Sequence, residues 1–302
     1  MTKKTAPRSE KLRVAIVGAG NLASSLAEAL RSAGFTITEI VSRDSARSRR
    51  RARSLAAAVG ARSVTLDSAA LGAPLLWLGV PDREISRAAS ALANRLALSA
   101  QSRTQFAFHS SGALLSNELD PLRKAGLSVA SVHPLMTFVP GAHPSLSGVP
   151  FALEGDHAAA RLAERIIRAL GGNSFHLRQS HKAAYHAWAT MTSPLLVAFL
   201  VALEEAATLA GLTPRESRRK SLPIVMQTLA NYSRLGAARS FSGPLIRGDA
   251  DTVAKHLTVL HKRPAAGDVY VALARSALQG LPVKNKSRLR QLLGKQTKSK
   301  GS

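Results

Sequence analysis

Residues 12–35 read LRVAIVGAGNLASSLAEALRSAGF. The first six form a short, mostly apolar strand, GAGNLA breaks it, and SSLAEALRSAG follows with helical spacing and a closing glycine. Gly18, Gly20 and Ala23 thus fit the pattern G-x-G-x-x-A between a strand and a helix. Glycine at the first two positions permits a tight turn and lets the backbone approach a pyrophosphate, which the helix start attracts with unpaired N–H groups and its positive dipole end. The pattern alone is weak, and its place directly after a strand near the N-terminus gives it weight. The backbone of Gly18, Gly20, Asn21 and Leu22 is therefore expected to seat the diphosphate of a nicotinamide dinucleotide.

Outward from this stretch, a second strand at 36–42 closes a first βαβ unit of about 30 residues. Further strands are expected at 63–66, 74–79, 105–109 and 128–132, with Ala-, Leu- and Arg-rich helical segments between most of them. This alternation predicts an α/β fold with a parallel, doubly wound sheet of Rossmann type. A loop rich in Pro and Gly follows His133, and VPFALEG, DHAAARLAERIIRALGG and NSFHL then supply one more strand, helix and strand. From 181 to 211 the chain reads as one long helical run that Pro194 should kink, followed by helices at 214–235, 250–260 and 265–279. The expected organisation is a Rossmann domain over 11–180, an all-helical domain over 181–283 and a disordered basic tail over 284–302.

The second strand ends in Ser42 and Arg43, about 20 residues after the glycine turn, where an NAD enzyme places an acid and an NADP enzyme often places Arg. NADP(H) is the expected cofactor, although Asp44 stands one position further on. Arg47, Arg49, Arg50, Arg51 and Arg53 open the next helix, and one or two of them are expected to add phosphate affinity. LLWLGVPD leaves Val80, Pro81 and Asp82 at the carboxyl edge of the sheet, with Val80 and Pro81 flanking the nicotinamide, and HSSGAL offers Ser110, Ser111 and Gly112 for close approach of cofactor or substrate.

Lys182, His186, Ala189 and Ser193 are spaced by four, three and four, which places them on one helical face. An ammonium there would donate a hydrogen bond and then a proton to a carbonyl as hydride arrives. His133 ends the strand before the breaker-rich loop and is expected to contact substrate. Arg247, between Gly243-Pro244 and Gly248-Asp249, suits a substrate carboxylate, whereas Asp249 is at least as well explained as a helix cap.

The formal charge of +24 raises the question of nucleic acid, but the excess concentrates at 3–13, 43–53 and 284–300, and the aromatic content is only 4%. A dedicated nucleic-acid function is not expected. The sequence has no cysteine, which excludes thiol nucleophiles and thiolate metal sites and suits a reducing compartment. The basic N-terminus lacks the apolar stretch of a signal peptide, and the longest apolar run, 194–203, is short of the roughly 20 residues that span a bilayer. A cytoplasmic protein without a membrane segment is expected.

GAGNLA, LGVPD, HSSGAL, SVHPLMTF, PFALEGD, KAAYHA and GPLIRGDADTVAKHL occur in that order between residues 12 and 281. In this series the chain resembles bacterial Rossmann-like proteins with an uncharacterised C-terminal helical domain, described as predicted NADP oxidoreductases. That family is similar to ketopantoate reductase, pyrroline-5-carboxylate reductase and the 6-phosphogluconate dehydrogenase-like group, which pair a Rossmann domain with a helical domain that often dimerises. The resemblance implies reduction of a small 2-keto acid or imine acid, with Lys182 matching the lysine that serves the reacting group. His186 stands where those enzymes carry asparagine, and Ser193-Pro194 resembles the Asn-Pro of ketopantoate reductases with Ser replacing Asn. A homodimer and a carboxylate-bearing substrate are expected on the same grounds. A pyrroline-type or deazaflavin-dependent reductase and a non-enzymatic dinucleotide sensor or polyanion binder are the alternatives.

Overall fold

A computed structural model of the chain describes residues 12–98 and 104–295. Two compact units divide between Thr190 and Met191. The first carries β1 (Arg13–Val17), α1 (Asn21–Ser32), β2 (Thr36–Ser42), α2 (Ala46–Val59), β3 (Arg62–Thr65), β4 (Leu75–Leu78) and α3 (Ile85–Ala97). It continues through β5 (Phe106–His109), α4 (Asp120–Lys124), β6 (Ser128–Pro134), β7 (Pro150–Gly155), α5 (His157–Ala169), β8 (Asn173–His176) and most of α6 (Lys182–Thr192).

The strands form one sheet of order β3-β2-β1-β4-β5-β6-β7-β8. Its first six strands reproduce the doubly wound order, so the chain reverses direction across the sheet between β1 and β4, where such folds bind ligands. Period-two alternation sorts β1: Val14 and Ile16 pack with α1, α2 and α5 on one face, while Ala15 and Val17 pack with α3 and α4 on the other. β7 departs from the expected parallel sheet, running antiparallel to β6. The loop between them contains no crossover helix, and a parallel neighbour would need one.

The second unit holds α7 (Pro194–Thr208), α8 (Pro214–Leu235), α9 (Ala237–Ser240), α10 (Pro244–Arg247), α11 (Ala250–Leu260), α12 (Pro264–Gly280) and α13 (Lys286–Lys295). The expected single helical run breaks at Ser193, whose φ of −125° and ψ of −72° leave helical geometry before Pro194 restarts the chain as α7. Proline has no N–H to donate to the preceding turn, and the chain divides here into two helices. Residues Gln179–Thr208, which straddle the boundary between the units, are together long and apolar enough by composition to cross a membrane, yet only 6% of the most apolar window is buried.

The expected disordered tail also needs correction. Leu289 and Leu293 of α13 are buried against Val253, Leu257, Leu278 and Val283. KNKSRLRQLL reads as polar by composition, but its two buried leucines lie one helical turn apart, and that spacing outweighs the lysine count. Residues 3–11 and 296–300 of the basic ends lie outside the described residues.

Candidate active site

Gly18 has φ of +106°, and a Cβ there would stand 2.7 Å from the Gly79 carbonyl oxygen, so the turn after β1 accepts only glycine. A Cβ on Gly79 would lie 2.8 Å from the Cβ of Ala23, which brings the start of α1 tightly against the end of β4. That start has neither a capping side chain nor an acidic residue in its first turn. Such an end offers unneutralised N–H groups to an anion, and the residues present therefore fit a dinucleotide diphosphate. The Asn21 side chain donates to the Phe138 carbonyl at 3.2 Å, which ties α1 to the loop after β6.

At the end of β2, Ser42 is buried, with its hydroxyl 3.3 Å from the Arg43 carbonyl, while Arg43 is exposed and loosely paired with Glu84 at 3.9 Å. Asp44, the acid that would suit NAD, is bound to Arg49. Val80 and Pro81 follow β4, with a Val80 methyl 3.2 Å from where a Gly18 Cβ would stand.

The HSSG loop after β5 is fixed on every side. The Trp77 indole N–H donates to Ser110 Oγ at 2.9 Å, so this hydroxyl anchors a core tryptophan. Ser111 Oγ donates to Asp82 at 2.7 Å and accepts from the backbone N–H groups of Ala113 and Leu114. His109 accepts the Ser111 N–H at Nδ1, 3.1 Å, which leaves its Nε2–H to donate to the Leu115 carbonyl at 2.9 Å. Burial pushes this imidazole down to about 4, so it is neutral. Gly112 then passes so close to two histidines that a Cβ would lie 2.8 Å from His133 Nε2 and 2.9 Å from His186 Cδ2.

Lys182 enters from the first turn of α6 and is 2% exposed. Its ammonium donates to Ser131 Oγ at 2.6 Å, and Ser131 in turn donates to the Ser111 carbonyl at 3.1 Å. Burial lowers its pKa to about 8 against the opposing fields of Glu154 and Asp82. His133 Nδ1 lies 2.7 Å from the Tyr185 hydroxyl, and burial, reinforced by Lys182, His186 and His109, holds His133 near 4. Burial also raises Tyr185 to about 12, so it remains a phenol. His109, His133 and Tyr185 are thus neutral hydrogen-bonding rings around the Lys182 ammonium.

Of the sequence-predicted residues, the structure brings together Lys182, His186, His133, Gly112 and Ser110 at the carboxyl ends of β4, β5 and β6. Two predicted residues belong to the second unit. Ser193 is the break between α6 and α7, so no single continuous helix carries it with Lys182 and His186. Arg247 is exposed at the end of α10 in the second unit, and Asp249 caps α11 by accepting from Thr252 N at 3.0 Å. Ser131, Tyr185 and Glu154 support the cluster without having been singled out for it, and Asp82, expected at the ligand-binding edge, supports it by accepting from Ser111 Oγ. Each sits in or beside a quoted motif, SVHPLMTF, KAAYHA, PFALEGD and LGVPD, yet only the fold reveals what they touch.

Sheet order, glycine turn and polar edge together define a Rossmann-type protein with a helical C-terminal unit. Residues 2–134 match the family description of a Rossmann-like domain and residues 149–277 a domain of unknown function, DUF2520; the chain joins these two domains in that order. Among solved structures, a candidate NADP oxidoreductase from Bacteroides fragilis is 23% identical over 88% of this chain and 98% of its own, with a TM-score of 0.71. A Thermotoga maritima protein is 25% identical over 94% and 99%, with a TM-score of 0.66. A pyrroline carboxylate reductase from Plasmodium falciparum, solved with NADP bound, is 12% identical over 88% and 99%, with a TM-score of 0.56. These likenesses show a shared fold across both units. No curated protein sequence matches the chain.

Proposed function

We propose that this chain is an NADP(H)-dependent reductase of a small carbonyl or imine acid. The observation that carries the reading is a continuous series of contacts from the glycine turn to a buried proton donor. Gly18 abuts Gly79 and Val80, Asp82 follows and binds Ser111, and the Ser111 carbonyl holds Ser131, which holds Lys182. A dinucleotide seated at the start of α1 would point its reactive ring along this edge. The candidate NADP oxidoreductase and the NADP-bound pyrroline carboxylate reductase that share the fold support the cofactor and the reaction class. Arg43, with Asp44 engaged by Arg49, supports NADP over NAD.

When bound, the nicotinamide supplies hydride to the substrate carbon. Lys182 hydrogen-bonds the carbonyl oxygen or imine nitrogen and releases its proton there as the carbon is reduced, which leaves a neutral amine. His133 and His186, on either side of Gly112, orient the substrate. Arg247 is the residue assigned to the substrate carboxylate. The reading also includes a homodimer, supported by the exposed apolar side chains of α7 and α8, and a cytoplasmic site of action.

NADPH should raise the melting temperature more than NADH, and a panel of 2-keto acids and cyclic imino acids should reveal the substrate by NADPH consumption. K182A should lower turnover about 10²- to 10⁴-fold with NADPH binding retained. Unchanged turnover would remove Lys182 from the mechanism, and no thermal shift with either dinucleotide would overturn the whole reading.

A further inference from the structure

In the sheet, His109 on β5, Ser131 on β6 and Glu154 on β7 are register partners, so they form one row across three strands. All three are polar and buried, in a sheet whose other interior positions are almost wholly apolar. A polar row in such a place costs stability unless each member is hydrogen-bonded. Two members are bonded elsewhere, and neither makes a hydrogen bond to Lys182. Both His109 nitrogens are taken by Leu115 and Ser111, and Glu154 accepts from the Ser116 N–H at 2.7 Å, Ser116 Oγ at 2.8 Å and Gln179 Nε2 at 2.9 Å. Ser131, in the middle, spends its hydroxyl proton on the Ser111 carbonyl and so presents lone pairs to the ammonium.

We infer that Ser131 is the positioning residue of this site: it holds the Lys182 ammonium in place from the sheet and couples it to the HSSG loop. The inference rests on the reductase reading for its kinetic consequence, but the contact itself stands on geometry. The charged and titratable groups facing Lys182 are Glu154 on β7, Asp82 after β4, His109 on β5 and His133 on β6. Both histidines are neutral, and Glu154 and Asp82 act on Lys182 through their fields. Ser131 alone among these polar groups makes a described hydrogen bond to the ammonium, and that bond favours the charged form.

The test uses the full chain and its S131A, S131C and S131T variants. Lys182 is titrated by NMR on protein with 13C-labelled lysine, its resonance assigned by its loss in K182M. S131A should lower the Lys182 midpoint by about one unit, because a hydrogen bond to a charged group is lost. The alkaline limb of the kcat profile should move with it, and kcat at its optimum should fall on the order of tenfold with KM nearly unchanged. S131T, which keeps the hydroxyl, should restore the midpoint, whereas S131C, a weaker acceptor, should resemble S131A and replaces it if alanine prevents folding. An unmoved midpoint in S131A and S131C, or a midpoint equally displaced in S131T, would overturn the inference. If the wild-type chain consumes no NADPH with any substrate, the reductase reading fails while the NMR titration still decides the role of Ser131.

Discussion

In the first unit, polar side chains lie inside a sheet and each finds a partner; in the second, apolar side chains lie in the open along α7 and α8. His109, Ser131 and Glu154 are enclosed and hydrogen-bonded, so the environment there is dry and fixed. On α7, by contrast, Ala202 is the only buried residue, while Leu195, Val197 and Val201 are exposed, as are Leu222, Ile224, Met226, Leu229 and Tyr232 on α8. Burying polar groups without partners is costly, and so is leaving contiguous apolar surface in water. The first unit has met its requirement within one chain, whereas the apolar faces of α7 and α8 stay open and are the surface that the proposed homodimer would cover.

The sharpest break of this contrast is an all-or-none one. V197D and V201D together place two charges one helical turn apart on the exposed apolar face of α7. Light scattering after gel filtration should give the mass of two chains for the wild type and of one chain for the double variant, with the first unit's thermal response to NADPH retained. A wild-type chain that is monomeric at micromolar concentration would defeat the homodimer and leave the apolar face unexplained.

The fold was legible where local chemistry is repetitive. Strand, glycine turn and helix at 12–35 announce themselves, and the spacing of Lys182 and His186 placed both on the face of α6 that meets the cluster. What could not be read shares a physical cause, since each missed feature depends on a partner distant in sequence. Ser131 is one serine in a buried strand and becomes informative only when Lys182, 51 residues later, meets it. Likewise, Glu154 gains its meaning from Ser116 and Gln179. The antiparallel β7 depends on what a loop does rather than on the strand's own residues. α13 was misread because lysine content describes its solvent face and says nothing of the leucine pair beneath it.

That misreading gives the second, smaller effect. Leu289 is fully buried in the second unit's core, so L289A should cost about 2–5 kcal/mol of that unit's stability. Urea denaturation followed by far-UV circular dichroism would measure it. An unchanged midpoint would return α13 to the status of a loosely attached end and make the second unit's core smaller still.

The smallest expected effect sharpens the other side of the comparison, because it asks whether the buried polar row is as dry as its geometry implies. His109 titrates near 4 in the folded chain and near 6.5 when unfolded. Between these values the unfolded chain binds a proton that the folded chain refuses, so stability increases with pH through this window. The contribution is fully present above about pH 6.5 and is lost as pH falls towards 4, amounting to about 3 kcal/mol if the whole shift is realised. His133 acts in the same direction, from the same ordinary value to about 4. Carboxylates protonate at the lower end of the range, so the informative quantity is the difference between wild type and H109Q. Glutamine retains one donor and one acceptor for Leu115 and Ser111 but cannot be protonated. Denaturation midpoints at pH 7.5, 5.5 and 4.5 should converge for the two proteins as pH falls, because only the wild type still loses the histidine contribution. Parallel curves would mean that water reaches His109, and the polar row would then resemble the solvent-exposed second unit more than the closed edge of the first.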